Sequence, residues 1–113
     1  MSSEEERYWQ IYDSYYSQLI KLTENVSLFL QGRPSISQVV NYWRNLVARF
    51  YNLLNSAKKA GLRERELTQL RELAGSYLEG TADSFAEYFK EFLLAYAKRV
   101  IGFKGEDFIS EQM

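Results

Sequence analysis

Residues 57–72 read AKKAGLRERELTQLRE, and this stretch predicts the point at which one helix ends, the chain turns on Gly61 and another helix begins. Glycine supplies the left-handed backbone conformation that ends many helices. On both sides of the turn, apolar residues recur every three or four positions, which is typical of helices that bury one face. Strand-like alternation never extends beyond a few residues, and no Asn-Gly or Asp-Gly hairpin turn occurs. We therefore expect an all-α protein.

The same periodicity on both sides of this turn predicts a compact bundle of about four helices of unequal length. We expect Gly32 to end the first helix in a left-handed conformation, and either Ser35 together with Gln38 or Ser37 alone to cap the second. Gly80 is expected to end the third helix, and Thr81, Asp83 or Ser84 to cap the fourth. The 113 residues suit a single domain. The predicted helices span about 4–31, 36–60, 63–79 and 83–101, followed by a tail at 103–113.

The composition excludes most familiar catalytic and metal-binding chemistry. Cysteine and histidine are both absent, so the chain has no thiolate, no imidazole base and no zinc site of the usual kind. Two acidic groups, Glu87 with Glu91 and the cluster Glu4 to Glu6, have no histidine, cysteine or glycine-rich phosphate loop to act with. We therefore expect a non-enzymatic protein with no catalytic residues, no cofactor, no metal and no small-molecule substrate. The N-terminus is acidic where a secretory signal is basic, and no apolar run is long enough to span a membrane. We expect a cytoplasmic protein.

The first predicted helix carries a heptad seam rich in aromatic residues. The simpler interpretation is that these apolar residues form a stripe facing the core of the same chain. The alternative is a subunit contact, since tyrosine and tryptophan are enriched at interfaces. Helices of about 40 and 25 Å overhang one another, which favours a homodimer or another assembly. The candidate interface residues are Tyr8, Trp9, Tyr12, Tyr15, Tyr16 and Leu19.

Positive charge collects in the middle of the chain, although the net charge is only -1. Between positions 33 and 71, eight basic residues accompany only Glu64 and Glu66. Such a basic segment can contact phosphates and release their counterions, but it can also be ordinary solvated surface. Few aromatic residues adjoin the basic ones, so we expect no strong stacking platform for single strands. The candidate nucleic-acid-binding residues, for RNA or DNA, are Arg44, Arg49, Lys58, Lys59, Arg63, Arg65, Gln69 and Arg71.

Two alternatives to backbone contact stay open. The spacing of Ala57, Gly61, Leu67 and Leu70 matches a helix-turn-helix, with a small residue at the crossing and two leucines behind the second helix. In that case the residues offered to a DNA major groove are Arg63, Arg65, Thr68, Gln69 and Arg71. The other alternative is a purely structural subunit for protein-protein interaction, in which the charges only solvate the surface.

Two short motifs carry a family resemblance. Residues 35–39, SISQV, resemble a Thr-Ser-Gln-Ile type motif near the start of the small helical subunit of type III CRISPR effector complexes. Residues 92–98, FLLAYAK, followed by 102–106, GFKGE, are similar to that family's closing segment. The chain has Val40 and Ser76 where the family usually has arginines. The resemblance implies a non-catalytic helical subunit that packs along a guide RNA and its target, beside copies of itself.

Overall fold

The computed structural model describes the backbone of residues 3–100 and the side chains of residues 3–95. Within this range the chain forms helices and no strand. The all-α prediction is therefore confirmed, although the helices are divided differently from the prediction. The predicted tail at 103–113 and position 101 lie outside the described residues. The helices are α1 (Ser3–Lys21), α2 (Val26–Gln31), α3 (Ile36–Lys59) and α4 (Glu64–Val100).

The chain divides into two compact units, Met1–Thr81 and Ala82–Met113. The first unit holds α1, α2, α3 and the first half of α4. Helix α4 continues without interruption past the boundary after Thr81. Within the second unit, Phe85 and Tyr88 are buried. The single-domain prediction stays a prediction.

The single helix predicted over residues 4–31 is wrong, because the chain turns between α1 and α2. The N–H groups of Leu22, Glu24 and Val26 each donate to the carbonyl three residues back, as in a tight turn rather than an α-helix. Thr23 and Asn25 lie in this turn, and both residue types form helices poorly because their side chains compete for backbone hydrogen bonds. The continuous heptad seam of the sequence is therefore interrupted after α1.

The helix end predicted at Gly80 is also wrong, since α4 runs through it. Thr81 does not cap a new helix. Its hydroxyl donates instead to the carbonyl of Tyr77, one turn back, at 2.9 Å, and Ser84 lies inside the same helix. Continuing the helix keeps the backbone groups around Gly80 paired, whereas a break would leave several of them without partners. A Cβ added to Gly75 or Gly80 would meet no atom within 4 Å, so neither glycine marks a close packing contact.

The turn between α3 and α4 confirms the predicted role of Gly61, whose φ is 98°. The N–H of Leu62 donates to the carbonyl of Ala57 at 3.2 Å, and the N–H of Gly61 donates to that of Lys58 at 3.1 Å. These two bonds form a Schellman motif, which satisfies the last carbonyls of α3. Leu62 and Ala57 are both buried in one hydrophobic cluster, so the apolar contact that usually accompanies the motif is present.

The turn between α2 and α3 confirms one predicted cap and corrects another. Ser35 and Gln38 form the predicted capping box, with each side chain accepting from the other's backbone N–H. Gly32, however, has an ordinary φ of -74°. The left-handed residue is instead Arg33, with φ 55°.

The core of the first unit lies where α1, α3 and the first half of α4 meet. Helix α1 packs against α3, and Leu19 of α1 is fully buried against Phe50 of α3 and Leu70 of α4. Burying a leucine side chain of this kind contributes roughly 1.5–3 kcal/mol. The buried members of the cluster are Leu19, Leu46, Phe50, Ala57, Leu62, Leu67, Leu70 and Ala74. Of the four residues that match the helix-turn-helix spacing, Gly61 therefore forms the turn, and Ala57, Leu67 and Leu70 lie in the core.

Candidate nucleic-acid interface

All eight residues predicted to contact nucleic acid have exposed side chains. Arg44, Arg49, Lys58 and Lys59 belong to α3, Arg63 lies in the turn, and Arg65, Gln69 and Arg71 belong to the start of α4. Exposure alone does not make a cation available, because a nearby carboxylate can already neutralise it. The two helices differ in this respect.

Arg63 is held against α1. Its guanidinium lies 3.4 Å from a carboxylate oxygen of Glu5 and 4.2 Å from the centre of the Tyr8 ring, in a cation-π contact. Its backbone N–H donates to the Tyr8 hydroxyl at 2.9 Å. These contacts direct Arg63 to its own chain rather than to a phosphate.

The Tyr8 hydroxyl connects α1 to the N-terminus of α4. It accepts from the Arg63 N–H and donates to the carboxylate of Glu66. Glu66 is only 3% exposed, and such a buried carboxylate requires a polar partner. Burial, together with the hydrogen bond to Glu66, raises the pKa of Tyr8 above its ordinary value of 10.0. This tyrosine thus caps a helix that begins more than fifty residues later in the chain.

Gln69 is engaged by α1 in the same way. The hydroxyl of Tyr12 donates to the side-chain oxygen of Gln69 at 3.2 Å. Burial also raises the pKa of Tyr12, with smaller effects from the neighbouring Tyr16 and Glu66. Since Arg63 and Gln69 both bond to α1, the groove-facing side of the proposed helix-turn-helix is partly occupied by the chain itself.

The rest of the exposed surface at the start of α4 is mixed in charge. Arg71 donates to a carboxylate oxygen of Glu64 at 2.7 Å, and this hydrogen bond lowers the pKa of Glu64. Arg65 and Glu72 are also exposed. Two arginines and two glutamates therefore share this face, which gives phosphates no net attraction.

Helix α3 differs because it contains four basic residues and no carboxylate. Among the described residues, none of these four side chains forms an ion pair. At 3.6 residues per turn, Arg44, Lys58 and Lys59 lie on the solvent side of the helix, whereas Arg49 lies roughly 140° around from Arg44. This is the highest concentration of unpaired positive charge in the described part of the chain.

The outward face of α3 also carries polar and aromatic side chains between its cations. Positions 41, 44, 48, 51, 55 and 58 follow the alternating spacing of three and four that defines one helix face. They place Asn41 and Asn55 beside the cations, and Tyr51 midway between Arg44 and Lys58. Tyr51 is 65% exposed. We refer to this set, with Lys59, as the α3 outer face.

The residues predicted for a subunit interface separate into two groups. Leu19 is fully buried in the core and offers no surface to a second chain. Tyr8, Tyr12 and Tyr15 are half-buried, and their hydroxyls bond within the chain, that of Tyr15 to the carbonyl of Ser56 at 3.2 Å. Trp9 and Tyr16 remain 41% and 42% exposed, with the Trp9 ring packed edge-on against Tyr8 and Tyr12.

Two features escaped the sequence analysis. One is the position of Tyr51 between Arg44 and Lys58, which arises because a helix brings residues seven apart onto the same face. The absence of any acidic residue from α3 was a signal that could have identified this face. The bond from Tyr8 to Glu66 left no signal, since a surface glutamate and a buried one look the same in a sequence.

Within the described residues, no group of acidic side chains could hold a metal ion, and no helix has the length and apolar character needed to cross a membrane. Comparison with protein-family models, curated proteins and solved structures yields no match to this chain. The function is therefore inferred from the charges and contacts of the protein surface.

Proposed function

We propose that this protein is a non-enzymatic, cytoplasmic helical module that contacts the phosphate backbone of nucleic acid through the α3 outer face. The observation that supports the proposal is the charge of α3, with four exposed cations and no carboxylate on the helix. Each cation that neutralises a phosphate releases counterions, which favours binding at low salt. Backbone contact of this kind positions a protein on nucleic acid without reading its sequence.

The proposed phosphate-binding site lies on α3 rather than at the central turn around Gly61. Arg63 and Arg71 bond to carboxylates of the same chain, so a phosphate must compete with those partners. The cations of α3 form no ion pair with the described residues, although the charge of Lys58 helps to lower the pKa of Glu64. The resemblance to the small subunit of type III CRISPR effector complexes is consistent with a subunit of a ribonucleoprotein assembly, and remains a prediction.

The test compares two triple variants that each remove three positive charges. Arg44→Ala/Lys58→Ala/Lys59→Ala alters α3, and Arg63→Ala/Arg65→Ala/Arg71→Ala is the control matched in charge. Fluorescence anisotropy with labelled single-stranded RNA, duplex RNA and duplex DNA, at about 50 and 200 mM salt, measures their affinities. We expect the α3 variant to bind much more weakly, and its slope of log K against log salt to fall by about 0.7–0.9 for each phosphate that it no longer neutralises.

Equal losses of affinity in the two variants would contradict a site on α3, because they would show that only the total charge matters. A larger loss in the control, with strong preference for one duplex DNA sequence, would support the helix-turn-helix alternative instead. Absence of binding by the wild-type protein at low salt would refute the proposal.

A protein-interaction subunit is the second candidate, favoured by the exposure of Trp9 and Tyr16, seven residues apart on α1. Aromatic residues placed in this way are suited to a contact with a second copy or another subunit. Sedimentation equilibrium of the wild-type protein and of a Trp9→Ser/Tyr16→Ser variant tests this. Self-association that the variant abolishes would support it, and a monomeric wild-type protein would exclude a homodimer.

A further inference from the structure

Tyr51 occupies an unusual place on the α3 outer face. Its side chain is 65% exposed, more than the partly exposed Trp9 and Tyr16 of α1. No hydrogen bond or ring contact joins Tyr51 to any other residue in the described part of the chain. Both its ring and its hydroxyl are therefore accessible to a partner.

Tyr51 lies between two cations on the α3 outer face. Arg44 and Lys58 lie seven residues before and after it, so the three side chains follow nearly the same line along α3. At 1.5 Å per residue they are separated by roughly 10 Å each, and the line is roughly 21 Å long. A cation thus lies on either side of an exposed aromatic ring.

The polar residues of this face suit the same type of partner. Asn41 and Asn55 are exposed on the same face as Tyr51. An amide side chain both donates and accepts hydrogen bonds, so it can bond to base edges and to the sugar hydroxyls of RNA. Carboxylates, which would repel a phosphate, are absent from the whole helix.

We propose that the α3 outer face binds single-stranded nucleic acid, with a base stacked on Tyr51 and phosphates on Arg44 and Lys58. Stacking requires the face of an unpaired base, and a duplex buries those faces between neighbouring pairs. A face that combines cations with an aromatic ring therefore selects single strands, largely without regard to sequence. This inference rests on the proposed function and specifies the class of nucleic acid.

The experiment uses the full chain with Tyr51→Leu, which removes the aromatic ring, and Tyr51→Phe, which keeps it. The probes are a labelled single-stranded oligonucleotide, the duplex of the same sequence, and a single strand with the same phosphates but abasic sugars. We expect Tyr51→Leu to weaken single-strand binding roughly 5- to 150-fold, the range expected when one base no longer stacks on a ring. Tyr51→Phe should change it less than about threefold, and duplex binding should be unchanged.

The abasic strand separates stacking from charge. The wild-type protein should bind it about as weakly as Tyr51→Leu binds the normal strand, and Tyr51→Leu should bind the two single strands alike. Urea unfolding of each variant verifies the fold, and because the side chain is exposed we expect unchanged midpoints.

The outcomes distinguish this inference from the proposed function. A wild-type protein that binds nothing at low salt overturns both. Salt-sensitive binding that depends on the α3 cations, but is the same with Tyr51→Leu or is stronger for the duplex, overturns only the stacking site. Unchanged binding together with altered sedimentation of Tyr51→Leu would assign the ring to a protein contact, which also overturns it.

Discussion

Removing the hydroxyl of Tyr8 tests whether α1 caps α4. Tyr8→Phe keeps the ring, so the packing of α1 and the cation-π contact with Arg63 are retained. The variant loses the bond to the carboxylate of Glu66 and the acceptor for the Arg63 N–H. Water can replace the acceptor at the exposed Arg63, but Glu66 is only 3% exposed. The loss of folding stability should therefore come mainly from the buried carboxylate of Glu66, which is left without its hydrogen-bond donor.

The expected magnitude follows from that burial. At present, no buried side-chain nitrogen or oxygen in the described part of the chain lacks a hydrogen-bond partner. Hydrogen bonds to charged groups contribute about 1.5–3 kcal/mol, and an unsatisfied buried partner costs a similar amount. We expect Tyr8→Phe to lower the free energy of unfolding by about 2 kcal/mol. With a slope near 2 kcal/mol per molar, this shifts the urea midpoint down by about 1 M.

Tyr16→Phe is the matched control, because it removes the same atom from the same helix at an exposed side chain. We expect it to change stability by less than about 0.5 kcal/mol. Urea unfolding followed by circular dichroism at 222 nm measures both variants. A Tyr8→Phe variant as stable as the control would refute the capping role.

A double-mutant cycle with Glu66→Leu then isolates the pair. Each single variant leaves the other polar group without its partner, whereas the double variant replaces both groups by apolar ones. We expect a coupling energy of at least about 1 kcal/mol. Additive losses would show that Tyr8 and Glu66 do not act together, whatever the stability of the single variants.

Three further predictions concern the backbone and the pH dependence. Gly61→Ala should lower the free energy of unfolding by about 1–2 kcal/mol, because alanine is strained at a φ of 98°. The added Cβ meets no atom within 4 Å, so no steric clash adds to this strain. An unchanged urea midpoint would exclude the left-handed turn. Gly75→Ala should stabilise by about 1 kcal/mol, since it lies inside α4 with open space around it, and a loss would reveal packing there. The raised pKa values of Tyr8 and Tyr12 favour their neutral forms in the folded state. Their contribution to folding stability is complete below about pH 10 and is lost as the pH rises above it. The free energy of unfolding of a Tyr8→Phe/Tyr12→Phe variant should therefore fall less steeply than that of the wild-type protein between about pH 9 and 11. Parallel plots of unfolding free energy against pH would disprove the link between these tyrosines and stability.

Much of the local structure could be predicted because it depends on residues close together in the chain. The Schellman turn at Gly61 joins groups at most five residues apart, and the capping box of Ser35 and Gln38 spans three. The errors arose where a weak signal was given too much weight. Gly80 was interpreted as a helix end, although a glycine costs a helix only about 1 kcal/mol.

The candidate site was predicted as a set of charges, and the structure divided that set. Arg63 and Arg71 carry the same charge as Arg44 and Lys58, but the first two form ion pairs with carboxylates, whereas among the described residues the other two form none. Composition counts charges along the chain, whereas an ion pair depends on distance in space. For this reason the net positive charge of the central segment did not distinguish the cations that form ion pairs from those that form none among the described residues.

The amino-acid sequence by itself determined the all-α class, the helix stripes and the chemistry of the turns, because helical periodicity and capping act within a few residues. Only the tertiary structure decided that Tyr8 would satisfy a glutamate 58 positions away, and that Leu19 would be core rather than surface. It also decided which cations of the described residues form ion pairs. Burial and pairing are properties of neighbours in space, and these neighbours are established only when α1 packs against α3 and the start of α4.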